Sequence, residues 1–270
     1  VRCAYTVRRG RHDEARIVAV LTPAPDRVQP RCAHFDRCGG CALQHLEPTA
    51  QLALKQRWLL ESLTHMGKVQ PEQVLEPMTG PLWGYRRRAR LGVKWVAKKG
   101  RVLVGFRERH SAFLADLHRC EVLDARVGGL LEALAQLIET LSIRDRIPQI
   151  EVAGGDEVMG LNFRVLAPPS EADVEQLRIF GKQQTLALYL QSGGPDHVQP
   201  IYPLPAEEAD VLSYRLPAFD LNLAFQPWHF IQINTTINRQ LVEHACELLE
   251  IGSDDRVLDL FCGLGNFTLA

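Results

Sequence analysis

The sequence predicts a protein of mixed α and β structure in three parts, and three observations carry this prediction. Residues 1–22 contain two β-like runs on either side of Gly10, and prolines at positions 23, 25 and 30 mark a linker after them. Residues 29–229 alternate period-two and period-3.6 hydrophobic patterns, which predicts an α+β domain. Residues 230–270 read as helix, apolar strand and glycine loop, the entry to an α/β nucleotide-binding domain.

The composition is typical of a soluble globular protein. The chain has 270 residues, 46% hydrophobic and 23% charged, enough to bury a core in one to three domains. Seven cysteines, an odd number, without a secretory signal indicate a reducing cytoplasm, where clustered cysteines bind metal or do chemistry. No apolar run approaches the ~20 residues that span a bilayer, so we expect no membrane association. Val1 lies inside a strand pattern and Ala270 at the start of a helix pattern, so we expect a fragment of a longer protein.

Period-3.6 patterns predict four helices. The predicted helices start at Pro48 and stop at Gly67, cover residues 130–141, run from a Ser170–Asp173 capping pair to Phe180, and cover residues 235–249 before Gly252. In three of them one face is apolar. These faces contain Leu52, Leu59, Leu63 and Met66 in the first helix, Leu130, Leu131, Leu134, Leu137, Ile138 and Leu141 in the second, and Ile237, Leu241, Ala245 and Leu248 in the last.

The strand predictions follow from alternation and from turn residues. Period-two alternation predicts β-structure from Tyr85 to Phe106, and residues 149–163 predict a hairpin that turns at Gly154-Gly155-Asp156. The apolar stretch LALYL predicts another strand, and residues 193–205 are expected to form a loop. RVLDLF, residues 256–261, predicts a strand buried in a parallel sheet, directly before the glycine loop and a helix start.

Three cysteines within ten residues, Cys32, Cys38 and Cys41, predict a metal centre. A closed thiolate site needs four ligands, and the best candidate for the fourth is Cys120, which follows the long β segment that can return to the cluster. Zinc sites usually consist of two compact pairs, so this three-plus-one spacing favours an iron–sulfur cluster. Zinc and thiols without a ligand are the alternatives. We expect His34 and His45 beside the site to be surface or outer groups rather than ligands.

A basic stretch from Tyr85 to His110 predicts contact with nucleic acid. It carries ten Lys/Arg and one acid, Glu108, on a chain whose net charge is only −1. Alternation sorts the first strand into a cationic face and an apolar face. The cationic face contains Arg86, Arg88, Arg90 and Lys94, and the apolar face contains Ala89, Leu91, Val93 and Trp95. Cations about 7 Å apart along a strand suit RNA or DNA phosphates, whereas a merely solvated face normally mixes both signs.

The glycine loop DLFCGLGNF lacks the third glycine of the dinucleotide fingerprint, which makes a nicotinamide site a weak interpretation. A short Gly-x-Gly turn after an Asp-containing strand is typical of S-adenosylmethionine enzymes. We expect Cys262, and likewise Cys3 and Cys246, to be small packing residues rather than nucleophiles. Upstream, the polar residues of FIQIN, residues 230–234, could form a strand edge or orient a base or the cofactor.

Together these motifs resemble one family, the RNA uracil-C5 methyltransferases, and within it the iron–sulfur branch that modifies 23S ribosomal RNA. The matching segments are CAHFDRCGGCALQH at 32–45, GYRRRARL at 84–91, GFRERHS at 105–111, Cys120, FIQIN at 230–234 and RVLDLFCGLGNFTL at 256–269. The resemblance implies three domains. These are the remnant of an RNA-binding TRAM (OB-like) β-barrel in residues 1–28, a central iron–sulfur and RNA-binding domain in 29–229, and the start of a Rossmann-like S-adenosylmethionine methyltransferase domain in 230–270. In this family the helix after the cluster packs against the catalytic domain, so the resemblance implies that residues 44–75 belong with the C-terminal domain.

The resemblance also implies roles for residues. Cys32, Cys38, Cys41 and Cys120 would ligate a [4Fe-4S] cluster, and Gln232, Phe261 and Asn266 would contact S-adenosylmethionine. The family mechanism joins a cysteine thiolate to C6 of uracil, methylates C5, and removes the C5 proton with a carboxylate base. The family places that cysteine and base beyond Ala270, so we expect these 270 residues alone to be inactive.

The implied partner is 23S ribosomal RNA, with no DNA and no membrane, for a monomer in the cytoplasm. The alternative from another class is a non-enzymatic RNA-binding module with a structural metal. All features up to residue 225 fit that alternative, and only FIQIN and the glycine loop favour the enzyme.

Overall fold

The computed structural model describes residues 1–10, 12–203 and 212–270. The chain divides into two compact units. One comprises Val1–Arg31 and Ala42–Leu75, and the other comprises Cys32–Cys41 and Glu76–Ala270. These units do not follow the domain boundaries expected after residues 28 and 229, and the domain assignment stays a prediction.

The first unit contains one hairpin and one long helix. Strands β1 (Arg2–Arg9) and β2 (His12–Ala19) pair antiparallel, which confirms the two β runs around Gly10. Most of their side chains are exposed. The structure describes two strands here and not a closed sheet, so a barrel remnant stays a prediction.

Helix α1 (Pro48–Ser62) starts with proline, whose missing N–H has no intrahelical partner in the first turn. It continues as a π turn, Leu63–Gly67, and stops where Lys68 adopts a left-handed conformation with φ 56°. The predicted helix is confirmed, but its predicted apolar face is not buried. Leu59 is 60% exposed and Met66 84%.

The second unit is built on a six-stranded sheet in the order β4-β3-β5-β6-β7-β8. Its strands are β3 (Arg88–Val96), β4 (Arg101–Gly105), β5 (Gln149–Gly154), β6 (Met159–Arg164), β7 (Leu186–Gln191) and β8 (Val198–Tyr202). All neighbours pair antiparallel except β6 and β7, which are parallel and joined by a helical crossover. A mostly antiparallel sheet with helices packed on it is the α+β arrangement expected for this region.

Three helices lie between the strands of this sheet along the chain: α2 (Ala125–Gly128), α3 (Leu131–Thr140) and α4 (Glu171–Gln184). Helix α3 packs against β4, and α4, the β6–β7 crossover, packs against β7 and β8. The capping box predicted at the start of α4 is present, with Ser170 and Asp173 each accepting from the other's backbone N–H. The core between the layers contains the fully buried side chains Leu91, Leu134, Ile138, Ile150, Leu161, Phe163 and Leu177.

Strand β8 lies in the segment 193–205 that was predicted to be a loop, so that prediction is wrong for Val198–Tyr202. Among the described residues the strand forms the sheet edge and pairs only with β7. An edge position tolerates Pro200, which lacks a donor, and only Ile201 of the strand is buried. Because of the proline and the single buried residue, the strand has no alternating apolar pattern by which the sequence could predict it. Residues 204 and 205 lie outside the described residues.

A small hairpin and one helix complete the second unit. Strands β9 (Ser213–Leu216) and β10 (Leu221–Ala224) pair antiparallel, and the sequence did not predict them because each has only four residues. Helix α5 (Thr235–Leu249) has the predicted bounds. Its buried face differs from the predicted one: it contains Thr235, Asn238 and Val242. Leu248, on the predicted face, is 62% exposed.

The predicted strand 256–261 does not form, and turns replace the predicted helix start after it. Leu258 is 80% exposed, and Phe261 is fully exposed with a left-handed backbone, φ 63°. A buried parallel strand is held by hydrogen bonds to a strand on each side, and no described residues pair with this segment. In the described part of the chain, no helix is long and apolar enough to cross a membrane.

Candidate functional site

The loop that carries Cys32, Cys38 and Cys41 is held against the segment that follows β4. Cys38 pairs with Glu108 in an isolated antiparallel bridge, and Gly39 N–H donates to the carbonyl of Arg107 at 2.9 Å. Glycine at 39 allows this approach, because a Cβ there would lie 3.1 Å from the Arg107 carbonyl oxygen. The glycine pair between the cysteines therefore lets the loop pack tightly on its neighbour.

Arg109 fixes the same loop from the side. Its guanidinium lies over the Phe35 ring, 4.7 Å from the centroid, and its Nε donates to the carbonyl of Cys38 at 3.3 Å. A second guanidinium nitrogen donates to the carbonyl of Cys41. One cationic side chain thus ties together the two carbonyls that flank Gly39 and Gly40, which orients the thiols without touching them.

Cys120 is positioned by the turn that precedes α2. Its N–H donates to the carbonyl of Gly128 at 2.8 Å, and Asp124 caps α2 by accepting from the N–H of Arg126 at 3.1 Å. The approach is close enough to require glycine at 128, because a Cβ there would lie 2.4 Å from the Cys120 carbonyl oxygen. This turn is hydrogen-bonded to the start of β3 through Arg86, whose N–H donates to Val122.

Cys32, Cys38 and Cys120 each lie within electrostatic range of Cys41. Burial raises the pKa of the thiols of Cys32, Cys38 and Cys120, and the nearby charge of Cys41 raises all three further. Tyr85 belongs to the same group: burial raises the pKa of its hydroxyl, and Cys41 and Cys120 add to the shift. These mutual effects fall off with distance and therefore require neighbouring sulfurs.

Backbone N–H groups point at three of the sulfurs. Gly40 N–H donates to Cys38 Sγ at 3.4 Å, and backbone hydrogen bonds from His34 and Leu123 lower the pKa of Cys32 and Cys120 against the larger effect of burial. Such donors stabilise an anionic sulfur. Within the described residues, however, no three His, Cys, Asp or Glu side chains converge closely enough to hold a single metal ion.

The two histidines expected near the cluster differ in position. His34 lies in the cysteine loop, and its Nε2 accepts from the N–H of His118 at 3.4 Å. Burial and the neighbouring His118 lower the pKa of His34. His45 belongs to the other compact unit.

The four cations predicted on one face of the basic strand divide into two pairs. Arg86 and Arg88 are engaged by protein groups. Arg86 lies over the Phe106 ring, 5.8 Å from its centroid, and Arg88 pairs with Glu151 at 3.2 Å, with its side chain only 20% exposed. Burial lowers the pKa of Arg88, and Glu151 opposes this shift. Arg90 pairs with Glu151 but is 71% exposed, and Lys94 is exposed. Only the second pair faces solvent, so the uniform cationic face expected from alternation is corrected for Arg86 and Arg88.

Two of the three predicted cofactor residues lie in one neighbourhood. Asn266 and Asn238 exchange two amide hydrogen bonds of 3.0 and 2.9 Å, and Tyr214 donates to Asn266 Oδ1 at 3.0 Å. Gln232 lines a cavity of about 10 Å³ beside Tyr214 and Asn238. That space admits at most one water molecule. Phe261, the third predicted residue, is fully exposed.

Roles for Asn238 and Tyr214 were not predicted from the sequence. For Asn238 the helical spacing could have indicated one, because this polar residue lies four positions before Val242, and both are buried on the same face of α5. Cys246 packs against the core of this region, as expected. Cys3 and Cys262 are exposed, contrary to the packing role predicted for them.

The carboxylate of Asp156, for which the sequence predicted no structural role beyond the turn, joins separate elements. Asp156, in the β5–β6 turn, accepts from Arg87 at 2.6 Å, from Arg239 of α5 at 2.8 Å and from the N–H of Arg215 of β9 at 2.8 Å. The carboxylate therefore links the large sheet to the small hairpin and to α5. Sequence alone placed Asp156 only as a turn residue.

Comparisons with known proteins agree with this reading of the motifs. The family model "tRNA (Uracil-5-)-methyltransferase" matches residues 208–270. The chain is 53% identical over 269 residues to the 23S rRNA (uracil(1939)-C(5))-methyltransferase RlmD of Alkalilimnicola ehrlichii, and 54% identical over 266 residues to that of Nitrosococcus oceani. Over nearly its whole length the chain is thus similar to RNA uracil-C5 methyltransferases. It covers 60% and 58% of these two relatives, which are therefore considerably longer.

A solved structure has a similar fold. The Pyrococcus abyssi tRNA (uracil-54, C5)-methyltransferase, crystallised with S-adenosyl-L-homocysteine, is similar over 98% of this chain and 61% of its own, with a TM-score of 0.63. Sequence identity is 20%, so the likeness concerns the fold. The aligned residues include both compact units of the chain.

Proposed function

We propose that the protein transfers a methyl group from S-adenosylmethionine to C5 of a uridine in 23S ribosomal RNA. The observation that carries this proposal is the identity of about half of all residues, over nearly the whole chain, to relatives named for that reaction. The bound S-adenosyl-L-homocysteine named for the solved structure is the product that S-adenosylmethionine leaves after giving up its methyl group.

The proposed reaction is covalent, because C5 of uracil is a poor nucleophile. A cysteine thiolate adds to C6, and the electron pair displaced onto C5 attacks the methyl carbon, which leaves S-adenosylhomocysteine. A carboxylate then takes the C5 proton, the C5–C6 double bond re-forms and the thiolate leaves. Cys246 and Cys262 do not occupy the place of this nucleophile in the family motif. We therefore propose that the 270 residues alone do not complete the transfer.

We propose Gln232, Phe261 and Asn266 as contacts for S-adenosylmethionine. The amide cluster of Asn238, Asn266 and Tyr214 supports this assignment, because it holds Asn266 directly beside the cavity that Gln232 lines. The present cavity is too small for the cofactor. Binding would thus require the glycine loop, residues 263–265, and the exposed Phe261 to be reorganised.

For the four cysteines we propose a [4Fe-4S] cluster, with Cys32, Cys38, Cys41 and Cys120 as ligands. The chemistry of the donors supports this proposal: they are four cysteine thiols, and three of them have a backbone N–H hydrogen bond to sulfur. Zinc sites usually consist of two compact pairs of ligands, whereas this set has three cysteines close in sequence and one distant cysteine. When bound, the cluster would cross-link the loop 32–41 to the turn at Cys120.

The remaining assignments concern partner and location. We propose that Arg90 and Lys94 contact RNA phosphates directly, and that Arg86 and Arg88 support the strand that carries them. We further propose that the protein acts as a monomer in the cytoplasm, where ribosomal RNA is modified.

Methyl transfer is tested with the complete gene product, S-adenosylmethionine labelled in the methyl group, and 23S ribosomal RNA transcribed in vitro. We expect 5-methyluridine in nuclease digests, and a protein–RNA adduct stable in denaturing gels when the uridines carry fluorine at C5, which blocks proton removal. Methylation at another atom, or none, would refute the proposal. Iron and sulfide analysis after anaerobic purification tests the cluster, with about four of each expected per chain.

A further inference from the structure

A groove of about 700 Å³ lies over the β3–β4 hairpin. Its floor includes Gly92 and Gly105, which lie directly opposite each other in the strand pairing. Its side is formed by the segment 107–114, whose Leu114 side chain lies over Gly92: a Cβ on that glycine would be 2.5 Å from Leu114 Cδ2. The volume is within the ~300–1,000 Å³ usual for ligand sites.

The groove carries excess positive charge. Four of its lining residues are cationic, namely Arg90, Lys94, Lys99 and Arg107, and its single acid among the described residues is Glu108, which faces Arg37 at 3.6 Å. Arg90 and Lys99 already pair with carboxylates. Lys94 and Arg107 have no ion-pair partner in the described part of the chain, and both are exposed. Two unpaired cations at one groove favour an anionic ligand.

An aromatic ring stands at the edge of the groove. Phe113 is 74% exposed, although its backbone is fixed: its carbonyl accepts from Glu108 N–H at 2.9 Å and its N–H donates to Ser111 Oγ at 3.0 Å. A further backbone hydrogen bond of 2.9 Å, from Ala115 N–H to the Phe106 carbonyl, joins the two ends of this segment. The ring is therefore held in water on a pre-formed loop. A flat apolar surface beside unpaired cations matches the two parts of a nucleotide, base and phosphate.

We propose that this groove binds a single-stranded segment of the RNA substrate, with one base stacked on Phe113 and the adjacent phosphates at Lys94 and Arg107. The inference rests on the proposed function for the RNA partner, and it gives Phe113 and Arg107 a role that the proposed function does not assign to them. A single strand is required because the bases of a duplex are stacked inside it and offer no free face.

The test measures binding of a fluorescein-labelled, uridine-rich single-stranded RNA to the chain by fluorescence anisotropy, with the same RNA as a duplex for comparison. Phe113→Ala should weaken binding about 5- to 100-fold, the range for losing one stacking aromatic, and Phe113→Trp should retain it. Lys94→Ala and Arg107→Ala should each lower the slope of log affinity against log salt by about 1. The matched controls are Lys182→Ala, an exposed lysine of α4, and Leu166→Ala, an exposed apolar residue outside the groove.

The outcomes separate the groove from the proposed function. If the unaltered chain binds the single strand and Phe113→Ala and Lys94→Ala bind equally well, the groove proposal is overturned while RNA binding stands. If no RNA binds, both the groove and the RNA partner of the chain are refuted, and the methyl-transfer assay judges the enzyme separately. If poly-glutamate competes as effectively as RNA and is insensitive to Phe113, the groove is a general anion site and the stacking proposal fails.

Discussion

Replacing Asp156 by alanine should destabilise the second unit strongly. The carboxylate accepts from two guanidinium groups and one backbone N–H, at 2.6 to 2.8 Å, and its side chain is only 16% exposed. Hydrogen bonds to charged groups are worth about 1.5–3 kcal/mol each, but the three are not additive. Arg87 and Arg239 are 20% and 31% exposed, so water partly replaces the lost partner. We therefore expect a loss of about 3 kcal/mol, near the lower end for broken buried ion pairs.

The assay is urea unfolding followed by circular dichroism. With an m-value of about 3 kcal/mol/M, this loss lowers the midpoint by about 1 M. Asp156→Asn, which keeps one acceptor, should lose roughly half as much. The control is Asp145→Ala, whose side chain is 59% exposed and 3.8 Å from Arg146, and such surface pairs contribute ~0–1 kcal/mol. An Asp156→Ala midpoint equal to that of the control would refute the view that this carboxylate joins the sheet, the hairpin and α5.

Three further predictions concern single contacts. Burial raises the pKa of Asp173, but hydrogen bonds from Ser142 and Ser170 lower it below its usual value, so its contribution to stability is present above about pH 4 and is lost as pH falls through the folded-state pKa. Asp173→Asn should therefore cost about 2 kcal/mol at pH 7 in urea unfolding, with the difference shrinking below pH 4, and a constant difference across pH would contradict this. Gly128→Ala places a Cβ 2.4 Å from the Cys120 carbonyl oxygen, so it should lower the free energy of unfolding by about 1–3 kcal/mol and reduce the bound iron. The control is Gly129→Ala, whose Cβ would have its nearest atom at 3.7 Å and which should change neither quantity. Equal stability and iron content in the two variants would contradict this prediction. Tyr214→Phe removes the 3.0 Å hydrogen bond to Asn266 and should lose about 1 kcal/mol of unfolding free energy, and an unchanged value would show that the bond contributes nothing.

Local sequence signals predicted the local structure well. The capping box at Ser170 and Asp173, and the bounds of α5, depend on residues within a few positions of one another, so the sequence contains the whole signal. The role of Cys120 as a fourth ligand stays a prediction, because within the described residues no three His, Cys, Asp or Glu side chains converge on one metal ion.

Features that depend on distant partners were not predictable. Arg88 appeared to be a free cation because its partner Glu151 lies 63 residues away on a neighbouring strand. The apolar run 256–261 looks like a buried strand, but a strand needs neighbours, and the described residues supply none. The alternation of polar and apolar residues predicts which face of a strand a side chain is on, but its contacts there depend on residues distant in sequence.

The proposed iron–sulfur cluster at Cys32, Cys38, Cys41 and Cys120 can be tested directly. The most direct measurement is the iron and acid-labile sulfide content of the anaerobically purified chain, recorded with its visible spectrum, for the unaltered protein and for Cys120→Ser. The control is Cys246→Ser, because Cys246 is a half-buried cysteine that is not one of the four proposed ligands. The account predicts about four irons and four sulfides with a brown colour in the unaltered and control proteins, and their loss in Cys120→Ser. One zinc and no colour, or full iron content in Cys120→Ser, would contradict it.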